Sequence, residues 1–401
     1  MGEFDKLARG GDLSALIATL RGRVVADKRV FADPDVKAWC ARRWRFFFLS
    51  EAVTDPVALA QASRRFWDRR PARRRIAEYF LIGDARSSWQ DEQPEAGAPA
   101  LPNTTLICCP GLLNGLLPVL REFREQLPGL ARRFSLRVLR ADSHPVRGCE
   151  ANVADILAAV NGGRGLDAGG DEIPAAAASP PGNLLLIGYS KGAPDILTSL
   201  VRHPEIATKV RAVVTVAGAV AGSEVADDML ARFARSGVQD GARAAGRQLK
   251  GVLPRGLRLG RYAGRRLPEF DVEGAVRDLT TGVRNAFLAE HGAVLDALGV
   301  PMFYVRGATR LHEVPHLQRG GFRLLSKFDP RNDMQVTTKR GALPLPLAVD
   351  LGLLRGHHWD LAYASFIKGR WFGFNTTFHP FPKGAMLAAT VLLAAELGVI
   401  D

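Results

Sequence analysis

Residues 183–194 constrain the fold more than any other part of the chain. They open with the apolar run 184–187, and a short continuous run of this kind predicts a strand buried on both faces of a parallel sheet. Residues 188–192 follow as Gly-Tyr-Ser-Lys-Gly, and residues 195–201 carry apolar side chains at helical spacing. Strand, sharp turn and helix together predict that Ser190 lies at the tip of a strained turn, with its hydroxyl above the sheet. These flanking elements argue against a chance match to so short a motif.

This context resembles the α/β-hydrolase superfamily, in particular bacterial lipases and esterases. The resemblance implies an α/β fold whose central sheet is mostly parallel, with helices on both faces. Residues 104–109 predict a further buried strand, which ends in Pro110-Gly111-Leu112. In the superfamily the loop after this strand supplies one backbone N–H of the oxyanion hole, here that of Leu112, and the residue after the nucleophile supplies the other, here Lys191. An ordinary turn is the alternative reading of this loop.

Two later loops resemble the other parts of a catalytic triad. Residues 329–336 are similar to an Asn-Asp-Gly-x-Val acid loop, which makes Asp333 the triad acid, although Met334 stands where the Gly is usual. The predicted strand 348–354 is followed by a histidine directly before a Trp, which makes His358 the base. The chain order serine, acid, histidine is that of the superfamily.

Other residues compete for the same roles. His357 is the second candidate for the base and Asp329 the second for the acid, whereas Asp350 lies inside a predicted strand. No other histidine ends a strand after the acid; these are His144, His203, His291, His312, His316 and His379.

The resemblance implies a serine hydrolase that cleaves carboxylic (acyl) esters, with a small or lipid-like ester as substrate. A thioesterase, an amidase or an acyltransferase would use the same three residues, and a non-catalytic binding module on this fold is the alternative of another class. We expect no cofactor and no metal, because no Cys/His spacing typical of a metal site occurs. Acyl chain length, leaving group and oligomeric state stay open.

The chain divides by composition into an interrupted core and two helical, basic additions. The predicted parts are a helical N-terminal extension (1–100), the first part of the core (101–225), a helical cap or lid insertion (226–299) and the second part of the core (300–401). Residues 91–102, rich in Pro, Ala and Gly, predict a linker.

Two helices are predicted in the extension, each beginning at an aspartate that precedes a proline. They start at Asp33 and Asp55, and the second is expected to run on through Phe66 and Trp67. We expect an amphipathic pair that packs on the core with its arginines facing water.

The formal net charge of +13 is concentrated in two segments. Residues 64–75 hold seven arginines against one acid, and residues 231–270 hold ten Lys or Arg against two acids. A solvated basic face and peripheral contact with an anionic membrane both fit this pattern, and nucleic acid is not expected. The chain's four cysteines are expected to be reduced thiols. No signal peptide and no spanning helix are apparent, so a cytoplasmic location is expected.

Overall fold

The central element of the protein is a seven-stranded sheet. The computed structural model describes residues 12–63, 67–83, 97–112, 114, 121–235, 266–364 and 380–401. The strands are β1 (Leu81–Ile82), β2 (Thr104–Cys109), β3 (Arg137–Arg140), β4 (Asn183–Tyr189), β5 (Val210–Val216), β6 (Met302–Ala308) and β7 (Ala348–Arg355). They lie in the order β1-β7-β6-β5-β4-β2-β3, and β1 alone runs antiparallel to its neighbour. The predicted mostly parallel sheet is confirmed, whereas the short strand β1 was not predicted.

Helices cover both faces of this sheet. Those of the described residues are α1 (Leu13–Ala26), α2 (Pro34–Ala52), α3 (Pro56–Ala62), α4 (Ala72–Phe80), α5 (Gln126–Phe134), α6 (Cys149–Gly162), α7 (Gly192–Arg202), α8 (Glu224–Arg235), α9 (Val272–Arg277), α10 (Thr281–Ala297), α11 (Arg319–Leu325) and α12 (Lys383–Glu396). None of the described helices is long and apolar enough to span a bilayer.

Alternate residues of each strand pack against different helical layers. On β2, Leu106 and Cys108 belong to one apolar core with α1, α2, α5 and α12, while Ile107 and Cys109 belong to a second core with α6, α7 and α10. This is the expected consequence of side chains that alternate across a strand. All four cysteines are buried and free.

The chain changes direction across the sheet between β2 and β4. It passes from β2 to β3 at one edge, returns to place β4 on the other side of β2, and then builds outward through β5, β6 and β7. In open α/β sheets, ligands bind outside the carboxyl ends of the strands at such a switch point. The loops that follow β2 and β4 therefore meet where a site is expected.

The N-terminal helices are part of the main core. Trp44 of α2 donates its indole N–H to Thr390 Oγ1 of α12 at 3.0 Å. Beside it, Arg43 Nε lies 2.7 Å from Glu396 Oε1, and the arginine side chain is only 1% exposed. The expectation that the arginines of this segment face water is wrong for Arg43, because a carboxylate and the ring of Phe47, 4.3 Å from the guanidinium, replace its water.

The second predicted helix ends earlier than expected. Helix α3 ends at Ala62, and Trp67 lies in a turn; Phe66 lies outside the described residues. Asp68 Oδ1 accepts the backbone N–H of Arg70 at 3.2 Å, and a side chain that bonds the backbone two residues on competes with the helix. The first half of the predicted linker (91–96) and the middle of the predicted cap (236–265) also lie outside the described residues.

Candidate active site

The turn after β4 holds Ser190 in a left-handed conformation with φ of 51°, which is strained for a residue with a side chain. Glycines on both sides permit the close approach that this turn requires. A Cβ on Gly188 would lie 2.7 Å from Ala193 Cα, and one on Gly192 would lie 2.0 Å from the carbonyl oxygen of Cys109. The G-x-S-x-G spacing therefore has a steric cause at both glycines.

Backbone hydrogen bonds fix the turn on the neighbouring strand. Ser190 donates its N–H to Val216 O at 3.1 Å, and its carbonyl accepts the N–H of Ala219 at 3.2 Å. Ser190 is buried, with 8% of its surface exposed.

His358 and Asp333 are brought together as the sequence predicted. His358 Nδ1 lies 2.7 Å from Asp333 Oδ2, and the His358 N–H donates to Asp333 O at 2.8 Å. The other carboxylate oxygen accepts the N–H groups of Gln335 at 2.9 Å and Val336 at 2.7 Å. Both oxygens of this buried carboxylate are thus engaged, and one of them orients the imidazole.

Met334 explains how the acid loop forms without the glycine of the resembling motif. Its φ is 76°, the left-handed conformation that a glycine adopts without strain. The side chain is fully buried against Val314 and Phe322, and this apolar contact offsets the backbone strain.

The other histidines of the described residues have different surroundings from His358. His357 Nε2 lies 3.1 Å from Asp360 Oδ1, and its Nδ1 accepts the Asp360 N–H at 3.1 Å. His144 is buried against Phe270, and burial lowers its pKa to about 4. Of the others, His203 pairs with Glu205, His291 lies against Phe287, His312 is exposed, His316 lies in a 3₁₀ turn and His379 lies outside the described residues.

The rival acids hold loops and strands together. Asp329 accepts the hydroxyl of Thr338 at 2.7 Å and the N–H of Arg331 at 2.9 Å, so it closes the loop that carries Asp333. Asp350 on β7 is paired with Arg306 of β6.

Tyr189 links the serine turn to the histidine loop, a contact that sequence reasoning missed. Its hydroxyl donates to His358 O at 3.0 Å, and its ring centroid lies 5.1 Å from the imidazole and 5.5 Å from the ring of Tyr363. Burial raises the pKa of Tyr189 well above its usual value, so the hydroxyl stays a donor. An aromatic residue directly before the serine was the available signal.

The loop after β2 lies against the serine turn. A Cβ on Gly111 would approach Tyr189 Cδ1 to 2.9 Å and Ser190 Cβ to 3.0 Å, so the next residue, Leu112, is adjacent to the nucleophile position. Lys191 is the residue that precedes α7, at the end of a helix where amides lack intrahelical acceptors. Both predicted oxyanion donors therefore belong to segments that border Ser190.

Leu112 packs against buried apolar side chains. One is Val146, and the others form a small cluster of Ala219, Ala226, Val276, Leu279 and Val336. Within the described ranges, no group of three His, Cys, Asp or Glu side chains could hold a metal ion.

The first basic segment has an exposed indole. Trp67 is 65% exposed and, with Asp68, Arg69 and Arg70, lines a surface groove of about 550 Å³. Arg70 is paired with Asp68 and with Glu78, which neutralises part of the local charge.

No protein-family model matches the chain, and no curated protein matches it. Among solved structures it is similar to a metagenomic carboxyl esterase, at 22% identity over 85% of this chain and 90% of that one, with a TM-score of 0.59. A Bacillus licheniformis lipase in mature form has 19% identity, 67% and 88% coverage and a TM-score of 0.40. The Staphylococcus hyicus lipase has 11% identity, 67% and 91% coverage and a TM-score of 0.42. The likeness to the metagenomic protein extends over most of both chains and shows a common fold.

Proposed function

We propose that this chain, which has the α/β-hydrolase fold, is a serine hydrolase that cleaves carboxylic esters. The observation that carries the proposal is the 2.7 Å contact between His358 Nδ1 and Asp333 Oδ2, at the same end of the sheet as the strained turn of Ser190. A base oriented by a buried acid, at the end of the sheet that also carries a serine at a sharp turn, supports nucleophilic acyl transfer.

In the proposed mechanism, Ser190 Oγ attacks the ester carbonyl carbon while His358 Nε2 removes the hydroxyl proton. The tetrahedral intermediate collapses when the C–O bond to the alcohol breaks, and His358 returns the proton to the departing oxygen. Water then attacks the acyl-enzyme by the same proton route and releases the acid and Ser190. Asp333 stays ionised and stabilises the imidazolium.

The backbone N–H groups of Leu112 and Lys191 are the proposed oxyanion donors. They come from two segments that border Ser190, and the amino end of α7 adds its dipole in the same direction. Loss of one such donor typically raises a barrier by about 2.7–4 kcal/mol. The apolar residues around Leu112 favour an apolar acyl group as the substrate's bound part.

Two alternative functions can be distinguished from ester hydrolysis, one by its substrate and the other by its reaction with a covalent serine probe. A thioesterase, amidase or acyltransferase would use the same triad, and a non-catalytic module would use none of it. The solved protein with the most extensive likeness is described as a carboxyl esterase, which favours esters as the first substrate class to test.

The test is a panel of p-nitrophenyl esters of rising acyl length, with acyl-thioesters, anilides and an added alcohol acceptor. We expect esters to be turned over fastest, and Ser190→Ala to lose all turnover while its thermal unfolding matches that of the wild type. Ester hydrolysis that survives in Ser190→Ala would remove the assignment.

We also propose that residues 226–299 form a cap over the acyl site.

We further propose that the segment around Trp67 makes peripheral contact with anionic membrane. The exposed indole supports membrane contact, while the pairing of Arg70 with two acids opposes it. Sedimentation with anionic and with neutral vesicles distinguishes membrane contact from a solvated face. Membrane contact requires salt-sensitive binding to the anionic vesicles, and Trp67→Ala should weaken that binding. Equal recovery in both supernatants would leave a solvated face. The cytoplasmic location stays a prediction.

A further inference from the structure

A buried ion pair lies directly behind the nucleophile turn and has no role in the mechanism above. Lys191 Nζ is 2.6 Å from Asp195 Oδ1 and 2.9 Å from Oδ2, and both side chains are 1% exposed. Burial is the largest influence on the pKa of Lys191 and lowers it, but the charge and hydrogen bonds of Asp195, with further contributions from Cys149 and Asp278, together raise the pKa above its usual value. The lysine is therefore an ammonium ion at neutral pH, one residue from Ser190.

Asn152 of α6 ties this pair to the loop after β3. Its Nδ2 donates to Asp195 Oδ2 at 3.0 Å and to His144 O at 3.1 Å. Its Oδ1 accepts the His144 N–H at 2.9 Å and Arg147 Nε at 3.2 Å. An amide with all four hydrogen bonds made has one orientation, so it holds the carboxylate of Asp195 in one place.

The location of Asp195 creates an electrostatic problem that Lys191 solves. Asp195 lies in the first turn of α7, whose amino end points toward the place where an oxyanion would form. An uncompensated carboxylate there would oppose that negative charge, and it would do so strongly because Asp195 is buried, where charges are little screened.

Other charged or titratable groups also lie near Asp195. Arg284 and Asp278 add charges of opposite sign, and burial keeps the pKa of Cys149 well above its usual value, so that thiol stays neutral. Arg284 Nε donates to Val220 O at 3.1 Å. Lys191 contacts both carboxylate oxygens of Asp195.

We propose that Lys191 is a positioning residue of the oxyanion hole: its ammonium compensates Asp195 and, with Asn152, fixes the start of α7 so that the Lys191 N–H keeps its direction. This inference rests on the proposed function. It gives the lysine of the Gly-Tyr-Ser-Lys-Gly motif a side-chain role in addition to that of its backbone amide.

The test is steady-state hydrolysis of the best p-nitrophenyl ester by Lys191→Met and by Lys191→Met/Asp195→Asn. The single variant leaves a buried carboxylate uncompensated, and we expect kcat to fall roughly 100-fold with KM within about twofold, since the effect acts on the oxyanion. The double variant removes the uncompensated charge of Asp195 but does not restore the position of the Lys191 N–H. We expect its kcat to be roughly tenfold higher than that of the single variant and still lower than that of the wild type.

The matched control is Arg43→Met/Glu396→Gln, which neutralises a buried ion pair on the other face of the sheet. This double variant should unfold at a lower temperature than the wild type. Its kcat, calculated for the amount of protein that a fluorophosphonate labels, should equal that of the wild type. If Lys191→Met does not fold, the double variant decides: reduced kcat at unchanged KM supports the proposal, and wild-type kcat overturns it.

Wild-type kcat in folded Lys191→Met would also overturn the inference and leave the proposed function intact. A wild-type protein that neither hydrolyses esters nor labels would remove the proposed function, and this inference with it.

Discussion

Two buried ion pairs on opposite faces of the sheet differ in what surrounds them. Arg43–Glu396 joins α2 to α12 among aromatic rings, whereas Lys191–Asp195 lies in the first turn of the helix that follows Ser190. The first connects segments 353 positions apart in sequence, and the second connects residues four apart. Burial therefore does not distinguish the two pairs, whereas their positions relative to the carboxyl ends of the strands do.

The comparison predicts that polar groups at the carboxyl ends of the strands control rate, while those between α2 and α12 control stability. Three substitutions test this division, and a fourth tests Lys28, which belongs to neither group; the expected effects decrease in that order.

Asp333→Asn should reduce kcat about 10⁴-fold, because an amide no longer holds the imidazole in the productive tautomer or stabilises its cation. The amide oxygen can still accept the N–H groups of Gln335 and Val336, so we expect thermal unfolding close to that of the wild type. Ester kinetics and calorimetry on the same sample measure both. Retained activity would exclude Asp333 as the acid.

Arg43→Met should lower the free energy of unfolding by about 3–5 kcal/mol, because it leaves Glu396 buried without its partner. Urea unfolding gives the size of the effect. The kcat, calculated for the amount of protein that a fluorophosphonate labels, should not change. A fall in activity larger than the fall in folded protein would contradict the assignment of this pair to stability alone.

Trp44→Phe tests a neutral contact in the same layer. It removes the hydrogen bond to Thr390 and leaves that hydroxyl its bond to Met386 O, so we expect a loss of about 1–2 kcal/mol in the free energy of unfolding. Activity should equal that of the wild type. An unchanged unfolding midpoint would show that the indole N–H adds nothing to stability.

Lys28→Met should have the smallest effect, and its sign depends on pH. Burial, with a contribution from Arg211, lowers the pKa of Lys28 to about 8, so the folded state disfavours its charge. The variant should be more stable than the wild type at pH 7, by less than about 1 kcal/mol because the side chain is only partly buried. The wild type should gain stability as pH rises from about 8 toward 10.5, which closes the difference. A difference that is constant from pH 7 to pH 10 would contradict this lowered pKa.

Much of the fold followed from local sequence. Apolar runs at 104–109, 184–187 and 348–354 predicted strands β2, β4 and β7, and Asp33 and Asp55 both cap helices where proline follows. The α/β-hydrolase fold is thereby confirmed. Strand β1 has two residues and pairs with β7 near the other end of the chain, so no local pattern could indicate it.

The candidate site was predictable where a motif carries the chemistry and not where contacts do. Asp333 and His358 follow from motif and order, and Met334 shows that an apolar contact can replace the usual glycine. The contact of Tyr189 with His358 O depends on which elements meet across the sheet, which spacing along the chain does not give. Lys191 and Asp195 are four residues apart, so spacing indicates their contact, but the complete burial of the pair depends on the tertiary packing.

The central claim is that Ser190 is a nucleophile activated by His358. Intact-mass spectrometry after incubation with a fluorophosphonate, followed by peptide mapping, tests it most directly. We predict one adduct for each chain, located on Ser190, no adduct in Ser190→Ala, and labelling slowed at least about 100-fold in His358→Ala. An unlabelled wild-type protein, an adduct on another residue or equal labelling of His358→Ala would contradict the account.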